Sequence, residues 1–199
     1  MTSFSYNSDL IGGGLMVRES RVVADLLLSG ADEEQWYQAV IVDNRLQKNR
    51  PATAKRAGQA IRKRLEKLEP PFWQALRDGD DQVATQVSFC AAMARNLLLV
   101  EFLESVVADA FLTHAESLQA YQWDEFLAER AHRDEAIAGW ADSSKRKMGQ
   151  VVYRMLAEVS ILASSRSRKL QPLLLRPEVK SLLETYQHER LQTCCRRLR

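Results

Sequence analysis

The sequence lacks the cysteine framework, the long apolar runs and the leader that would mark a secreted or membrane protein. Its three cysteines do not make a disulfide framework, because their number is odd and two are adjacent: Cys90, Cys194 and Cys195. Glu101 and Glu104 interrupt the apolar residues that follow Leu97, so no stretch predicts a membrane span. The opening residues MTSFSYNSDL have neither a charged start nor an apolar centre, and we expect no secretory signal. These absences favour a cytoplasmic protein in a reducing compartment.

Motifs that carry chemistry are equally scarce. No pair of histidines or cysteines has the spacing of a zinc site, and no serine or cysteine has a local base. The glycine run at 12–14 lacks the GK[ST] of a phosphate-binding loop. The acids within residues 124–135 are spaced as one helix face and alternate with Arg130 and Arg133, which is typical of a solvated surface. We therefore expect no catalytic residue, no metal, no cofactor and no small-molecule substrate.

Positive charge, in contrast, is gathered into two blocks that the net charge of +2 conceals. The first block, Arg45 to Glu69, holds nine lysines and arginines against two acids, and the second, Ser143 to Arg199, holds thirteen against four. Between Asp78 and Asp142 the balance reverses, with thirteen acids and three arginines. Clustered cations are typical of a surface that binds a polyanion, because neutralising phosphates releases counterions from nucleic acid.

The apolar residues recur with a helical period almost everywhere, and no alternating pattern supports a substantial sheet. The sequence therefore predicts an all-α protein, a compact multi-helix fold with two helix-turn-helix-like units. The predicted helices cover 18–29, 33–44, 52–68, 71–78, 80–117 with a break near Arg95 and Asn96, 123–133, 143–163 and 177–193. A change in composition near Ser117 suggests two halves, 1–117 and 118–199, within what is either two domains or one continuous domain.

The first helix-turn-helix-like unit comprises residues 33–68. An Asp32–Gln35 capping pattern begins its first helix, and Pro51 suits the first turn of its second. The turn between them is longer than the usual three or four residues, at about seven. Two modes of DNA binding therefore stay open for this unit: its side chains could read the edges of the bases, or its cations could contact only the phosphates. The DNA-binding candidates of this unit are Arg45, Lys48, Arg50, Lys55, Arg56, Gln59, Arg62 and Lys63.

The second unit, residues 124–176, fits the pattern better. Helix 143–163 would present Lys147, Gln150 and Arg154 on one outward stripe, with helix 124–133 in support. The SSRSRK turn after it places cations where the wing of a winged helix would lie, although LQPLLL supplies at most one strand of a hairpin. The alternative is a basic helix edge that docks on the acidic middle segment. The DNA-binding candidates of this unit are Lys145, Arg146, Lys147, Gln150, Arg154, Arg166, Arg168 and Lys169.

Two runs carry a resemblance to a known family: SDLIGGGLMVRESRVVADLLLSG and, after it, DEEQWYQAVIVDNRLQKNRPATAKRAGQAIRKRL. They resemble the N-terminal half of the BrxA family of BREX (bacteriophage exclusion) phage-defence systems, and the later WADSSKRKMGQVVYRMLAEVSIL is compatible with that family. The resemblance implies a small, helical, non-enzymatic accessory protein encoded beside a DNA methyltransferase and an ATPase. It transfers no catalytic residues.

The sequence thus favours an antiviral accessory protein that binds double-stranded DNA mainly through phosphates, with other BREX proteins as further partners. Two alternatives stay open. The family has been likened to the RNA-binding antitermination factor NusB, which suggests an RNA-binding module. The basic blocks would also suit an adaptor that meets acidic partner proteins within the defence complex.

Overall fold

The computed structural model describes residues 6–199, with only the backbone described at residues 11 and 12. The first five residues, part of the stretch in which we expect no secretory signal, lie outside the described residues. The described chain is about 66% helical and has no strands, which confirms the predicted all-α class.

The described helices follow a short 3₁₀ turn, Asp9–Gly12, in close succession. They are α1 (Val17–Leu28), α2 (Glu33–Tyr37), α3 (Pro51–Leu65), α4 (Pro70–Asp78), α5 (Asp81–Arg95), α6 (Leu97–Phe102), α7 (Ala108–Leu112), α8 (Gln122–Ala131), α9 (Glu135–Ala138), α10 (Asp142–Glu158), α11 (Pro177–Thr185) and α12 (Glu189–Arg196). A π-helical turn, Gln38–Val42, extends α2, and a second, Leu103–Val107, joins α6 to α7.

Local sequence signals set several of these boundaries. The Asp32 side chain accepts from the Gln35 N–H and the Gln35 side chain accepts from the Asp32 N–H, which completes the expected capping box of α2. Gly30 adopts φ +66 after α1, a left-handed conformation that glycine reaches without steric cost. The predicted break in the long middle segment is confirmed, since the Asn96 side chain caps α6 by accepting from the Leu99 N–H.

The chain divides into two compact units. One unit comprises Leu15–Arg95 and Leu175–Glu189. In it α1 packs against α3, α4 and α5, and α11 packs on α4 and α5. The predicted inward stripe of α3 is buried in this core: Ala54, Ala57, Ile61, Leu65 and Leu68.

The other unit comprises the described residues up to Gly14, together with Asn96–Leu174 and Arg190–Arg199. In this unit α10 packs against α8 and against the 3₁₀ turn. Its centre is an aromatic cluster in which the Phe102 ring lies 5.2 Å from Trp123, 5.3 Å from Phe126 and 6.0 Å from Tyr153, centroid to centroid. This grouping of residues differs from the suggested halves 1–117 and 118–199, because each unit draws on chain segments far apart in sequence.

Two predicted helices end earlier than their periodicity suggests, at residues that carry no breaker. The segment expected to be helical over 143–163 leaves the helix after Glu158, where Ser160 adopts φ 63 and the Ile161 N–H donates to the Leu156 carbonyl at 2.9 Å. The segment expected over 177–193 is interrupted at Gln187, with φ 55. In both cases the left-handed residue closes the helix by a backbone hydrogen bond that periodicity does not encode.

Candidate nucleic-acid interface

Helix α10 presents one apolar face to its unit and one polar face to solvent. Met148, Val152 and Met155 are fully buried, together with neighbours on the same side. The helix begins at Asp142, and no side-chain hydrogen bond caps it at Ala141. The inner face is held against α8, which leaves the opposite face outward.

The outward face carries the predicted cations and one glutamine, all exposed: Arg146, Lys147, Gln150 and Arg154. Among the described residues, none of these four side chains has a hydrogen bond or a carboxylate within ion-pair distance. Lys145 differs, because its ammonium lies 3.7 Å from the Asp142 carboxylate and its side chain is largely covered. The face is therefore a stripe of uncompensated positive charge beside one locally paired lysine.

The segment after α10 folds back as a short antiparallel loop. Isolated bridges pair Leu162 with Leu170 and Ser117 with Lys169, and the Ala163 N–H donates to the Lys169 carbonyl at 2.9 Å. The SSRSRK turn joins the two sides of this loop, with Arg166 and Lys169 exposed. The loop follows α10 at the position where the sequence predicts a wing. It is held by isolated β-bridges and not by a full β-hairpin.

Arg168 is held in this loop more firmly than its neighbours. Its backbone adopts φ 49, its Nε–H donates to the Leu118 carbonyl at 3.2 Å, and its guanidinium lies 5.6 Å from the centre of the Tyr153 ring. The Tyr153 hydroxyl in turn donates to the Gln119 carbonyl at 2.9 Å. Burial raises the pKa of Tyr153 to about 12, so this hydroxyl stays a neutral donor at physiological pH.

A cavity of about 490 Å³ opens between α10, the start of α8 and this loop. Its lining joins residues from three stretches of the chain: Ala120, Trp123, Asp124, Arg146, Gly149, Gln150, Tyr153, Arg154, Ser165 and Arg168. Gly149, one of these residues, lets α10 approach Trp123 closely, because a Cβ there would lie 2.6 Å from Trp123 Cδ1. Sequence reasoning missed Gly149, Tyr153 and Asp124 as parts of this site. The one sequence signal was Gly149 itself, because a glycine in the middle of a helix can indicate that another group packs closely against it.

The first basic block is arranged differently. Three of its predicted cations already have acidic neighbours: Arg45 lies 3.0 Å from Asp25, Lys48 lies 2.6 Å from Glu19, and Arg62 lies 2.7 Å from Glu66. Burial tends to raise the pKa of Glu19, but the hydrogen bond from Lys48, a backbone hydrogen bond and the positive charges of Lys48 and Arg18 together outweigh it and hold that pKa below its ordinary value.

The remaining candidates of the first block are exposed and have no ion pair in the described part of the chain: Arg50, Lys55, Arg56, Gln59 and Lys63. Beside them, an apolar cleft of about 330 Å³ runs between α2 and α3, with Trp36, Tyr37 and Ile41 in its wall. The Arg62 guanidinium lies 5.0 Å from the centre of the Trp36 ring. Lys55 and Arg62 therefore border an apolar cleft, whereas Arg146 and Arg154 of α10 border a cavity with polar residues in its wall.

Over residues 6–199 no cluster of histidine, cysteine and acidic side chains could hold a metal ion. None of the described helices has, on its own, the length and apolar content to cross a bilayer.

Fold and surface together define a small all-α protein in which α3, α10 and the loop after α10 carry exposed cations without an ion pair among the described residues. The sequence profile of the family described as BrxA matches residues 5–187, and the chain belongs to this family. It is 39% identical over 189 residues to the BREX protein BrxA of Paramagnetospirillum magneticum, with 95% of each chain covered. It is 37% identical over 176 residues to the BREX protein BrxA of Escherichia coli O9:H4, covering 88% of this chain and 83% of that one. The crystal structure of an uncharacterized protein from Magnetospirillum magneticum superposes with a TM-score of 0.88 at 37% identity, covering 96% of this chain and 97% of that chain.

Proposed function

We propose that this protein is a non-enzymatic accessory component of a BREX phage-defence system that binds double-stranded DNA mainly through phosphates. The supporting observation is the stripe of α10, where exposed cations have no carboxylate neighbour among the described residues. Because these cations have no neighbouring carboxylate to leave, each one that contacts a DNA phosphate can neutralise it and release its counterion. Relatives named BREX protein BrxA support the defence role. Cytoplasmic action follows from the proposed ligand, because the DNA under attack lies there.

The arrangement favours α8, α9 and α10 as a helix-turn-helix-like unit with α10 toward the DNA. Helix α10 spans 17 residues and its outer face is polar along its length. The loop that follows adds Arg166 and Lys169 at one end of this face. A helix in the major groove flanked by a basic loop on the backbone is a common way in which such units meet duplex DNA.

The test compares charge reversal in the two basic blocks. Lys147→Glu with Arg154→Glu changes α10, and Lys55→Glu with Lys63→Glu changes α3. All four side chains are exposed and lack an ion pair in the described structure, so neither pair should cost more than about 0.5 kcal/mol of stability per site. Binding to a random duplex is followed by fluorescence anisotropy across a salt series, after circular dichroism confirms folding.

We expect the α10 variant to lose at least as much affinity as the α3 variant. For the wild type, the logarithm of affinity should fall with the logarithm of salt concentration by about 0.9 per phosphate neutralised. Removing one cation that meets a phosphate should reduce that slope by about one unit. If both folded variants bind DNA as the wild type does, the cations serve partner docking and the adaptor alternative replaces this proposal. A marked preference for hairpin RNA over duplex DNA would instead favour the RNA-binding alternative.

A further inference from the structure

Three arginines line the cavity beside α10. Arg146 and Arg154 come from α10, two helical turns apart, and Arg168 comes from the loop on the other side. Gln150 lies between the two α10 arginines on the same stripe. Guanidinium groups bind phosphate through paired N–H donors, which makes a set of three well suited to one phosphate group.

This cavity is a formed site and not only a solvated surface. Arg168 is fixed by its hydrogen bond to the Leu118 carbonyl and by its place over the Tyr153 ring. The opposite wall is fixed as well, because the Trp123 Nε1–H donates to the Lys145 carbonyl at 3.0 Å. Gly149 lets α10 pack directly on the Trp123 ring, since a Cβ there would lie 2.6 Å from Trp123 Cδ1. A group held in advance, as Arg168 is, loses less conformational entropy when a ligand arrives.

The lining also contains one carboxylate, Asp124, which limits the class of ligand. A carboxylate repels a bare anion but accepts hydrogen bonds from the amino groups of bases and from sugar hydroxyls. The cavity volume of about 490 Å³ lies within the range of about 300–1,000 Å³ that is usual for small-molecule sites. We propose that this cavity binds a nucleotide, with its phosphate on Arg146, Arg154 and Arg168 and its base or sugar donors facing Asp124.

Two sources supply this chemistry: a free nucleotide, or an unpaired nucleotide of a DNA strand. Either one would cover Gln150 and Arg154, which belong to the stripe proposed to contact duplex DNA. A bound free nucleotide should therefore compete with paired duplex. That competition rests on the proposed function, whereas nucleotide binding itself does not.

The first experiment measures binding of AMP, ATP and inorganic phosphate to the full chain by isothermal titration calorimetry. We expect AMP and ATP to bind saturably at a single site, and Arg154→Gln to weaken both by about tenfold or more, as expected for one charged hydrogen-bonding group removed. Lys147→Gln is the matched control, because Lys147 is exposed on the same helix but does not line the cavity. It should leave nucleotide binding unchanged.

Asp124→Asn provides a second, qualitatively different readout. Removing the negative charge should strengthen binding of inorganic phosphate while reducing the preference for AMP over phosphate. Arg168→Gln should act as Arg154→Gln does. Because Arg168 also holds the loop in place, the Arg168→Gln result is interpreted only if the circular dichroism spectrum of the variant is unchanged. If the spectrum changes, the Arg154→Gln result alone tests the inference.

The second experiment distinguishes the two sources with a paired duplex and the same duplex carrying one unpaired adenine. Lys147→Gln should weaken binding of both duplexes alike, because Lys147 belongs to the proposed DNA-binding stripe. A preference for the second duplex that is lost in Arg154→Gln but kept in Lys147→Gln assigns the cavity to strand nucleotides even if free AMP binds poorly. The inference is overturned if neither free nor unpaired nucleotides bind in a way that depends on Arg154. A protein that binds paired duplex but no nucleotide keeps the proposed function and loses this inference. A protein that binds nucleotide but no paired duplex keeps this inference and loses the proposed function.

Discussion

Replacing Gly149 by alanine should destabilise the protein, against the usual trend for glycine in a helix. In the interior of a helix, alanine is favoured over glycine by about 1 kcal/mol. At this position, however, the new Cβ would lie 2.6 Å from Trp123 Cδ1, whereas carbon atoms in contact prefer about 3.5–4.0 Å. One of the two groups must move.

Trp123 has little freedom to move away. Its side chain is buried, its indole N–H donates to the Lys145 carbonyl, and its ring packs 5.2 Å from Phe102 and 5.6 Å from Phe126. Overpacking of this kind costs about 1–3 kcal/mol, and the rigid surroundings favour the upper part of that range. After subtracting the gain in helix propensity, we expect Gly149→Ala to lower the free energy of unfolding by about 1–2 kcal/mol.

Gly58→Ala is the matched control, because Gly58 is also buried within a helix. A Cβ there would meet only ordinary contacts, 3.4 Å from Leu46 Cδ1 and 3.5 Å from Trp36 and Val40. This substitution should therefore stabilise the protein by about 0.5–1 kcal/mol. Urea denaturation followed by circular dichroism measures both variants. If Gly149→Ala is as stable as the wild type, or if both substitutions shift stability in the same direction, the close approach of α10 to Trp123 is wrong.

Three further predictions concern single side chains. Glu19→Gln should lower the free energy of unfolding by about 1–2 kcal/mol near pH 7. In urea denaturation, this difference from wild type should shrink as pH falls through the lowered pKa of Glu19. A difference independent of pH contradicts the pairing with Lys48. Tyr153→Phe should remove one phenol that ionises at about pH 12 in an ultraviolet absorbance titration; loss of a phenol titrating near the ordinary value of about 10 would show that Tyr153 is not buried. Asn96→Ala should lower the free energy of unfolding by about 1–2 kcal/mol through loss of the α6 cap, and a change within error in thermal denaturation would mean that the Leu99 N–H finds another acceptor.

Much of the fold could be predicted from the sequence because local chemistry determines it. The Asp32–Gln35 capping box, the start of α3 at Pro51 and the break at Asn96 each depend on residues within a few positions of one another. Helical periodicity likewise predicts which face of α3 is buried, since burial follows the amphipathic pattern.

The parts that sequence reasoning missed depend on contacts between distant residues. The π-helical turns Gln38–Val42 and Leu103–Val107 insert an extra residue per turn without any breaker in the sequence. The helix ends near Ser160 and Gln187 use left-handed residues that are not glycine, and tertiary packing must supply their cost. The cavity beside α10 could not be predicted, because Asp124, Gly149 and Arg168 meet only after α8, α10 and the loop have packed.

Pairing with carboxylates reduces the number of cations that each basic block can offer to a phosphate. In the first block, Arg45 and Lys48 are directed to carboxylates of α1, so part of its positive charge stabilises the unit itself. In the second block, Arg176 and Arg190 are likewise paired with acids, and the C-terminal cations add less than their count suggests. A cation that must leave an internal carboxylate to meet a phosphate gains less, because the broken pair offsets part of the new attraction. The stripe of α10 avoids this cost, as do the unpaired cations of α3, but only α10 is followed by a loop with further exposed cations, Arg166 and Lys169. We therefore propose the DNA interface at α10 and expect charge reversal at Lys147 and Arg154 to weaken binding at least as much as reversal at Lys55 and Lys63.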